Sequence, residues 1–146
     1  PDETAATLLE GGWLRTGDLV VQDDDGFVTV VDRKKELIIT GGFNVSPSEV
    51  EQVIVTVPGV AASAVVGIPR GGGAEVVTAV VVLEEGAVFD EDAARAAARE
   101  RLAEYKRPSS YLVWEELPTS LIGKVLRRKV RDTLIADRKA TRAAEG

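Results

Sequence analysis

Lys124 follows Gly123 and stands just ahead of Arg127, Arg128, Lys129 and Arg131. The cluster lies at a loop-to-helix boundary, where cations oppose the helix dipole. Folds tolerate that cost more often at functional sites. On spacing alone the commoner explanation is a solvated basic face or a weak nucleic-acid patch. A second cationic run, Arg33-Lys34-Lys35, directly follows a predicted strand, so Arg33 could hydrogen-bond a ligand above the sheet. A plain charged turn is again the commoner explanation. Asp18 ends Thr16-Gly17-Asp18 ahead of a strand. A lone carboxylate there can accept two hydrogen bonds from a ribose diol, and equally well serves as a turn acid. Gly41-Gly42 lets the backbone turn or approach a ligand closely.

The background against which these residues act is that of an ordinary globular chain. It has 146 residues, 45% hydrophobic and 29% charged, with a formal charge of −6. That length suffices for one domain with a core, or a small domain plus an appendage. The negative total argues against general nucleic-acid affinity, but the charge is uneven. Residues 1–26 balance to −6 and residues 105–146 to +5. The basic end could meet an anionic ligand such as a nucleotide. There is no cysteine and no histidine. Disulfides, thiolate nucleophiles, Ser-His-Asp triads and the usual zinc sites are therefore excluded. No run is long and apolar enough for a bilayer helix and no signal peptide is visible, so a cytoplasmic location is the default expectation. The chain starts on Pro1 and contains no Met, so a piece of a longer protein is expected.

The elements that must position these residues follow from pattern. Residues 1–11 are polar and expected to lack regular structure. Residues 18–32 read as a β-hairpin around the acidic turn Asp23-Asp24-Asp25-Gly26. A calcium loop in that turn would put Val21 at the first ligand position, so a solvated hairpin turn is expected and no metal site. Leu37–Thr40 is a short strand. Ser46-Pro47-Ser48-Glu49 can cap and open a helix whose apolar face is Val50, Val53, Ile54 and Val57, and Pro58-Gly59 stops it. Residues 60–68 and 76–83 read as strands. The second is continuously apolar, hence central and covered on both faces. Gly71-Gly72-Gly73 lacks the Gly-Lys-Ser/Thr and the helix of a phosphate loop. Asp90-Glu91-Asp92 opens an alanine-rich helix to about Glu104. Residues 111–114 form a third strand, and Leu126, Val130 and Leu134 mark a last helix that starts at Lys124 and frays from Asp137. From residue 36 onward the reading is α+β, roughly three strands with helices packed on them.

Four segments resemble, in order and approximate spacing, motifs of the acyl-activating, adenylate-forming enzyme superfamily. They are Gly12 to Asp18, Asp32 to Glu51, Tyr105-Lys106-Arg107-Pro108, and Pro118 to Arg128. Gly42-Phe43-Asn44-Val45-Ser46-Pro47 and Gly123-Lys124-Val125-Leu126-Arg127-Arg128 look most like bacterial long-chain fatty-acid–CoA ligases. The resemblance implies a terminal β segment of a large N-terminal domain at 1–32, a hinge at 33–35, a small mobile C-terminal domain at 36–138 and a tail at 139–146. It also implies ATP, CoA and Mg²⁺, bound mainly by that large domain. Asp18 would bind the ribose hydroxyls and Arg33 would support the same ribose. Lys35 would be the hinge. Lys124 would bridge carboxylate and α-phosphate during adenylation. After rotation, a strand bearing Gly41 and Gly42 would line the pantetheine channel of CoA.

The chain departs from the family in two places. Luciferases and coumarate ligases often carry lysine where Ile39 stands, and Thr119-Ser120-Leu121-Ile122 is bulkier than the small-residue loop common before this glycine-lysine pair. No stretch matches the superfamily's phosphate-gripping loop or its carboxylate pocket. The implied function is therefore part of a fatty-acyl-CoA synthetase, inactive alone, whose partners are its own N-terminal domain and a fatty acid or other carboxylate. A peripheral membrane contact stays open, and nucleic acid is not expected. Two alternatives remain: transfer to a carrier-protein phosphopantetheine, and a non-catalytic module that binds nucleic acid through its basic helix.

Overall fold

A computed structural model describes residues 2–145. It divides into two compact units, Pro1–Lys35 and Glu36–Gly146.

In the first unit, helix α1 (Asp2–Thr7) leads into β1 (Leu8–Leu9), which pairs antiparallel with β2 (Trp13–Leu14). The expectation of no regular structure over 1–11 is thus corrected for 2–9, while Pro1 lies outside the described residues. Gly11 and Gly12 make the difference. Both adopt left-handed backbone, φ +85° and +79°, and turn β1 back onto β2. The expected hairpin follows as β3 (Asp18–Gln22) and β4 (Val28–Arg33). The Asp23 carboxylate accepts from the backbone N–H of Asp25 and Phe27, a hairpin turn held by its own acid. Val20, Val21, Val28 and Val30 are all exposed.

The second unit is α+β, as expected. A single 3₁₀ turn, Lys34–Glu36, spans the boundary. Strand β5 (Ile38–Thr40) then pairs antiparallel with β6 (Phe43–Val45). Helix α2 (Pro47–Ile54) starts as its sequence dictates: the Ser46 hydroxyl accepts from the Glu49 N–H at 3.3 Å and Pro47 takes the first helical turn. Strands β7 (Val60–Gly71) and β8 (Ala74–Leu83) form a long antiparallel hairpin. Helix α3 (Glu91–Arg101), capped by Asp90, carries the chain over to β9 (Ser110–Val113), parallel to β8. The sheet order is β7-β8-β9. One face of the sheet packs α2 and α3 through Val50, Ile54, Ala94 and Ala98 against Val65, Ala79 and Val81. The other face packs α4 (Arg127–Glu145) through Val130 and Leu134 against Ala64, Val66 and Val80. Central β8 is covered on both sides, which explains why it is apolar without alternation.

Several boundaries differ from the sequence reading: α2 stops at Ile54 and α3 at Arg101, β7 runs on to Gly71, and both ends of the last helix move. The last helix begins at Arg127 rather than Lys124, because Thr119 and Val125 form an antiparallel bridge that holds Lys124 in a turn. It also continues past Asp137 to Glu145, through residues that are alanine and strong helix formers. Of the expected tail, residues 139–145 are therefore helical, and Gly146 lies outside the described residues. Among the described residues no helix is long and apolar enough to cross a membrane.

Candidate functional site

The candidate residues fall into both units. In the first, Asp18 opens β3 and Arg33 closes β4, and the two stand directly opposite each other in the register. Their side chains form a loose ion pair, Arg33 Nε to Asp18 Oδ1 at 3.5 Å, with Arg33 60% and Asp18 25% exposed. A carboxylate and a guanidinium so arranged keep most of their hydrogen-bonding capacity for a diol. The pair is held from behind: Lys34 N–H donates to the Gly17 carbonyl, and Arg33 N–H donates to the carboxylate of buried Asp32. Lys35 is exposed within the 3₁₀ turn.

In the second unit, Gly41 and Gly42 form the two-residue turn between β5 and β6. The turn is one that the sequence reading of the glycine pair permits; it corrects only the strand placement implied by the resemblance. Their φ angles, +55° and +84°, suit the mirror-image turns that match hairpin twist. A Cβ would meet Phe43 no closer than 4.0 Å at Gly41 and nothing within 4 Å at Gly42. Backbone conformation therefore selects glycine here, and the turn offers open space to a narrow ligand. Phe43 beside it stacks on Tyr105, ring centroids 4.4 Å apart. The rest of the Tyr105–Pro108 motif is scaffold. Lys106 donates to both oxygens of Glu49 at 2.8 Å, and Arg107 caps the end of α3 through the carbonyls of Leu102 and Arg99.

Lys124 closes a tight turn. Ser120 N–H donates to the Lys124 carbonyl at 2.8 Å, Gly123 N–H to the Ser120 carbonyl at 2.9 Å, and Lys124 N–H to the Ser120 hydroxyl at 3.2 Å. Gly123 supplies the left-handed step at φ +80°. The Lys124 side chain is exposed and has no ion-pair partner among the described residues. At the tip, Leu121 and Ile122 are 108% and 89% exposed.

Arg127, three residues on, has the opposite fate. Only 18% of its side chain is exposed. It forks onto Glu51, Nε to Oε1 at 2.8 Å and Nη2 to Oε2 at 2.7 Å. It also donates to the Ser48 hydroxyl at 2.9 Å and to the Glu36 carboxylate. The hydrogen bonds to Glu51 raise its pKa against the opposing effect of burial. The sequence reading grouped Arg127 with the other cations and missed Glu36, Glu51 and buried Asp32. Partners so distant in the chain leave no local signal. Direct opposition of Asp18 and Arg33, by contrast, could have been found from the hairpin register.

With this geometry in place, comparison with known proteins is decisive. The AMP-binding enzyme C-terminal domain model matches residues 49–124. The chain belongs to that family. The long-chain-fatty-acid–CoA ligase of Salmonella typhimurium is 46% identical over 132 residues, covering 90% of this chain and 23% of the relative. The 2-succinylbenzoate–CoA ligase of Geobacillus kaustophilus is 44% identical over 129 residues, covering 88% of this chain and 26% of the relative. Among solved structures, ATP-bound MatB from Rhodopseudomonas palustris superposes with a TM-score of 0.86 at 39% identity, over 92% of this chain and 27% of that one. The chain spans about a quarter of the length of the curated relatives it matches. Within this AMP-binding enzyme C-terminal domain, Lys124 is the last matched residue, and Asp18, Arg33, Lys35, Gly41 and Gly42 precede the match.

Proposed function

We propose that this chain is the C-terminal part of an ATP-dependent acyl-CoA ligase acting on fatty acids. The whole enzyme joins a carboxylate to the α-phosphate of ATP, releasing pyrophosphate. The CoA thiol then displaces AMP from the acyl-adenylate to give the thioester. The observation that carries this reading is the Lys124 turn: an unpartnered ammonium on a hydrogen-bonded loop, at the end of the family match. An ammonium presented this way can bridge two anions as charge builds on phosphorus. Asp18 accepts the ribose hydroxyls, and Arg33 orients that carboxylate and adds a donor to the same ribose. Lys35, at the junction of the two units, is the pivot. The Gly41-Gly42 turn borders the pantetheine path in the second half-reaction.

The remaining machinery is assigned to an N-terminal domain of the same enzyme, including the phosphate loop, the acyl pocket and the ligands of Mg²⁺. Among the described residues no group of three or more His, Cys, Asp or Glu is placed to hold a metal ion. The exposed valines of the β3–β4 hairpin are the surface such a domain would cover. This chain alone is therefore inactive. A carrier-protein acceptor would use the same glycine turn, and free CoA against carrier protein as acceptor for the whole enzyme separates the two. A nucleic-acid role loses support from the ion pairs of Arg127 and Arg131 with glutamates of their own unit.

The test is Lys124→Ala in the whole enzyme, with each half-reaction measured separately. Carboxylate-dependent pyrophosphate exchange should fall by about a hundredfold, while thioester formation from supplied acyl-adenylate is largely kept. Unchanged exchange would make Lys124 an ordinary surface lysine. Pyrophosphate release by the 146-residue chain alone would overturn the assignment of the missing machinery.

A further inference from the structure

The Lys124 turn contributes almost nothing to the core. Its tip residues are fully exposed and its hydrogen bonds are mainly internal, so its place on the body depends on its ends. One end runs within three residues into α4. That helix packs on the sheet through Val130 and Leu134, and apolar contacts of this kind allow small slides and rotations. Directional bonds do not. Two arginines one helical turn apart supply them.

Arg127 reaches Glu51 of α2, whose Oε1 also accepts from the Val65 N–H of β7 at 2.8 Å, and it reaches Glu36, the first residue of the second unit. Arg131 donates to the Gly67 carbonyl and to Glu75 Oε1, both at 2.8 Å. The other oxygen of Glu75 accepts from the Ile39 N–H at 2.9 Å. Both arms thus lead to the segment 36–39. Gly67 makes room for the second arm. A Cβ there would sit 2.6 Å from Glu75 Oε2 and 2.8 Å from Ile38 Cγ2.

We propose that Arg127 and Arg131 are positioning residues for Lys124: they pin the first two turns of α4 to the segment that opens the second unit, and so set where the lysine turn stands. The inference rests on the proposed adenylation role of Lys124. A purely stabilising network would lower the melting temperature without changing turnover by folded enzyme. Positioning predicts a loss in kcat as well, because a displacement of about 1 Å can cost about a hundredfold in rate.

Arg127→Lys, Arg127→Met and Gly67→Ala are the variants. The last displaces Glu75 and alters no charge. In whole enzyme held well below each variant's melting temperature, kcat for pyrophosphate exchange should fall about tenfold or more in Arg127→Met and about threefold in Gly67→Ala. KM for ATP and thioester formation from supplied acyl-adenylate should stay within about twofold. Arg127→Lys keeps the charge without the fork and should recover only part of the loss. Hydrogen exchange on the 146-residue chain separates this inference from the reading beneath it. The Ser120 and Leu126 amides, bonded to Lys124 and Pro118 carbonyls, should lose more protection in Arg127→Met than the paired β7–β8 amides, whose loss tracks global stability. Lost protection with Lys124→Ala fully active would sink the adenylation role alone. Unchanged protection, or unchanged kcat beside a lowered melting temperature, would overturn the positioning role.

Discussion

Each unit carries an arginine–carboxylate pair, and the two pairs are built for different ends. Arg33 and Asp18 approach to 3.5 Å at the open end of a two-stranded hairpin, with the guanidinium mostly in water. Arg127 and Glu51 form a two-pronged bond at 2.7 and 2.8 Å under the start of α4, with further partners on Glu36 and Ser48. An exposed pair contributes little to stability, whereas removing one partner of a buried pair strands a charge. The loose pair thus leaves most of its donors and acceptors available, and the tight pair uses them to hold α4 against α2 and Glu36.

The sharpest break of this contrast is Arg127→Met. Stranding Glu36 and Glu51 should cost about 3 kcal/mol, read as a lowered denaturant midpoint at unchanged m-value. A loss below about 1 kcal/mol would show that the network relaxes when Arg127 is removed and that its geometry contributes little to stability. Lys124→Ala, three residues away, should move stability by under about 0.5 kcal/mol, even where it lowers adenylation as proposed. The two residues belong to one cationic run in the sequence, and only the fold separates the paired cation from the exposed one.

The legible parts were those written locally. The Ser46 and Asp90 caps and the unbroken apolar run of β8 each act over a few residues, and each stands where pattern put it, whereas α2 ends at Ile54, ahead of the expected Pro58-Gly59 stop. What was missed depends on distance or context. Strand β6 exists because Gly41-Gly42 reverses the chain in two residues; the sequence reading allows that turn but places no strand after it. The partners of Arg127 lie 76 and 91 residues away, beyond any periodicity. Leu121 and Ile122 are apolar by type and yet wholly exposed, because the Thr119–Val125 bridge throws them outward. Of the candidate site, the residue types were readable. Which cation would be free was not.

A buried polar group without a partner extends the comparison in the other direction. The Tyr111 hydroxyl is buried and has no hydrogen-bond partner among the described residues. Burial pushes its pKa up, opposed by Arg95, which sits 5.2 Å above its ring. Because the folded state holds this proton more tightly, the unfolded chain ionises first, and stability should fall as pH rises beyond the ordinary tyrosine range near 10. Tyr111→Phe should remove that part of the alkaline slope. At neutral pH it should be neutral to stabilising, by up to about 1 kcal/mol, since no hydrogen bond is lost. A destabilised Phe variant would mean that the hydroxyl is satisfied in solution.

The smallest effect is expected at the Arg33–Asp18 pair, and that smallness is what makes it informative. A double-mutant cycle over Arg33→Ala and Asp18→Ala should give a coupling energy in stability below about 0.5 kcal/mol, shrinking further in salt. In the whole enzyme the same cycle, run on KM for ATP, should give a larger coupling. On the proposed ribose role, each single variant would lose a hydrogen bond to the ribose, and the surviving residue would lose its neighbour's orientation. Strong coupling in stability with none in nucleotide affinity would make the pair a brace for the β3–β4 hairpin, and the ribose assignment would fall. The reverse pattern means that the hairpin end is held loosely in the free chain because its proper third partner is a ligand. The backbone supports that outcome. Arg33 and Lys34 N–H groups are already fixed on Asp32 and Gly17, so the strand ends keep their places whether or not the two side chains touch.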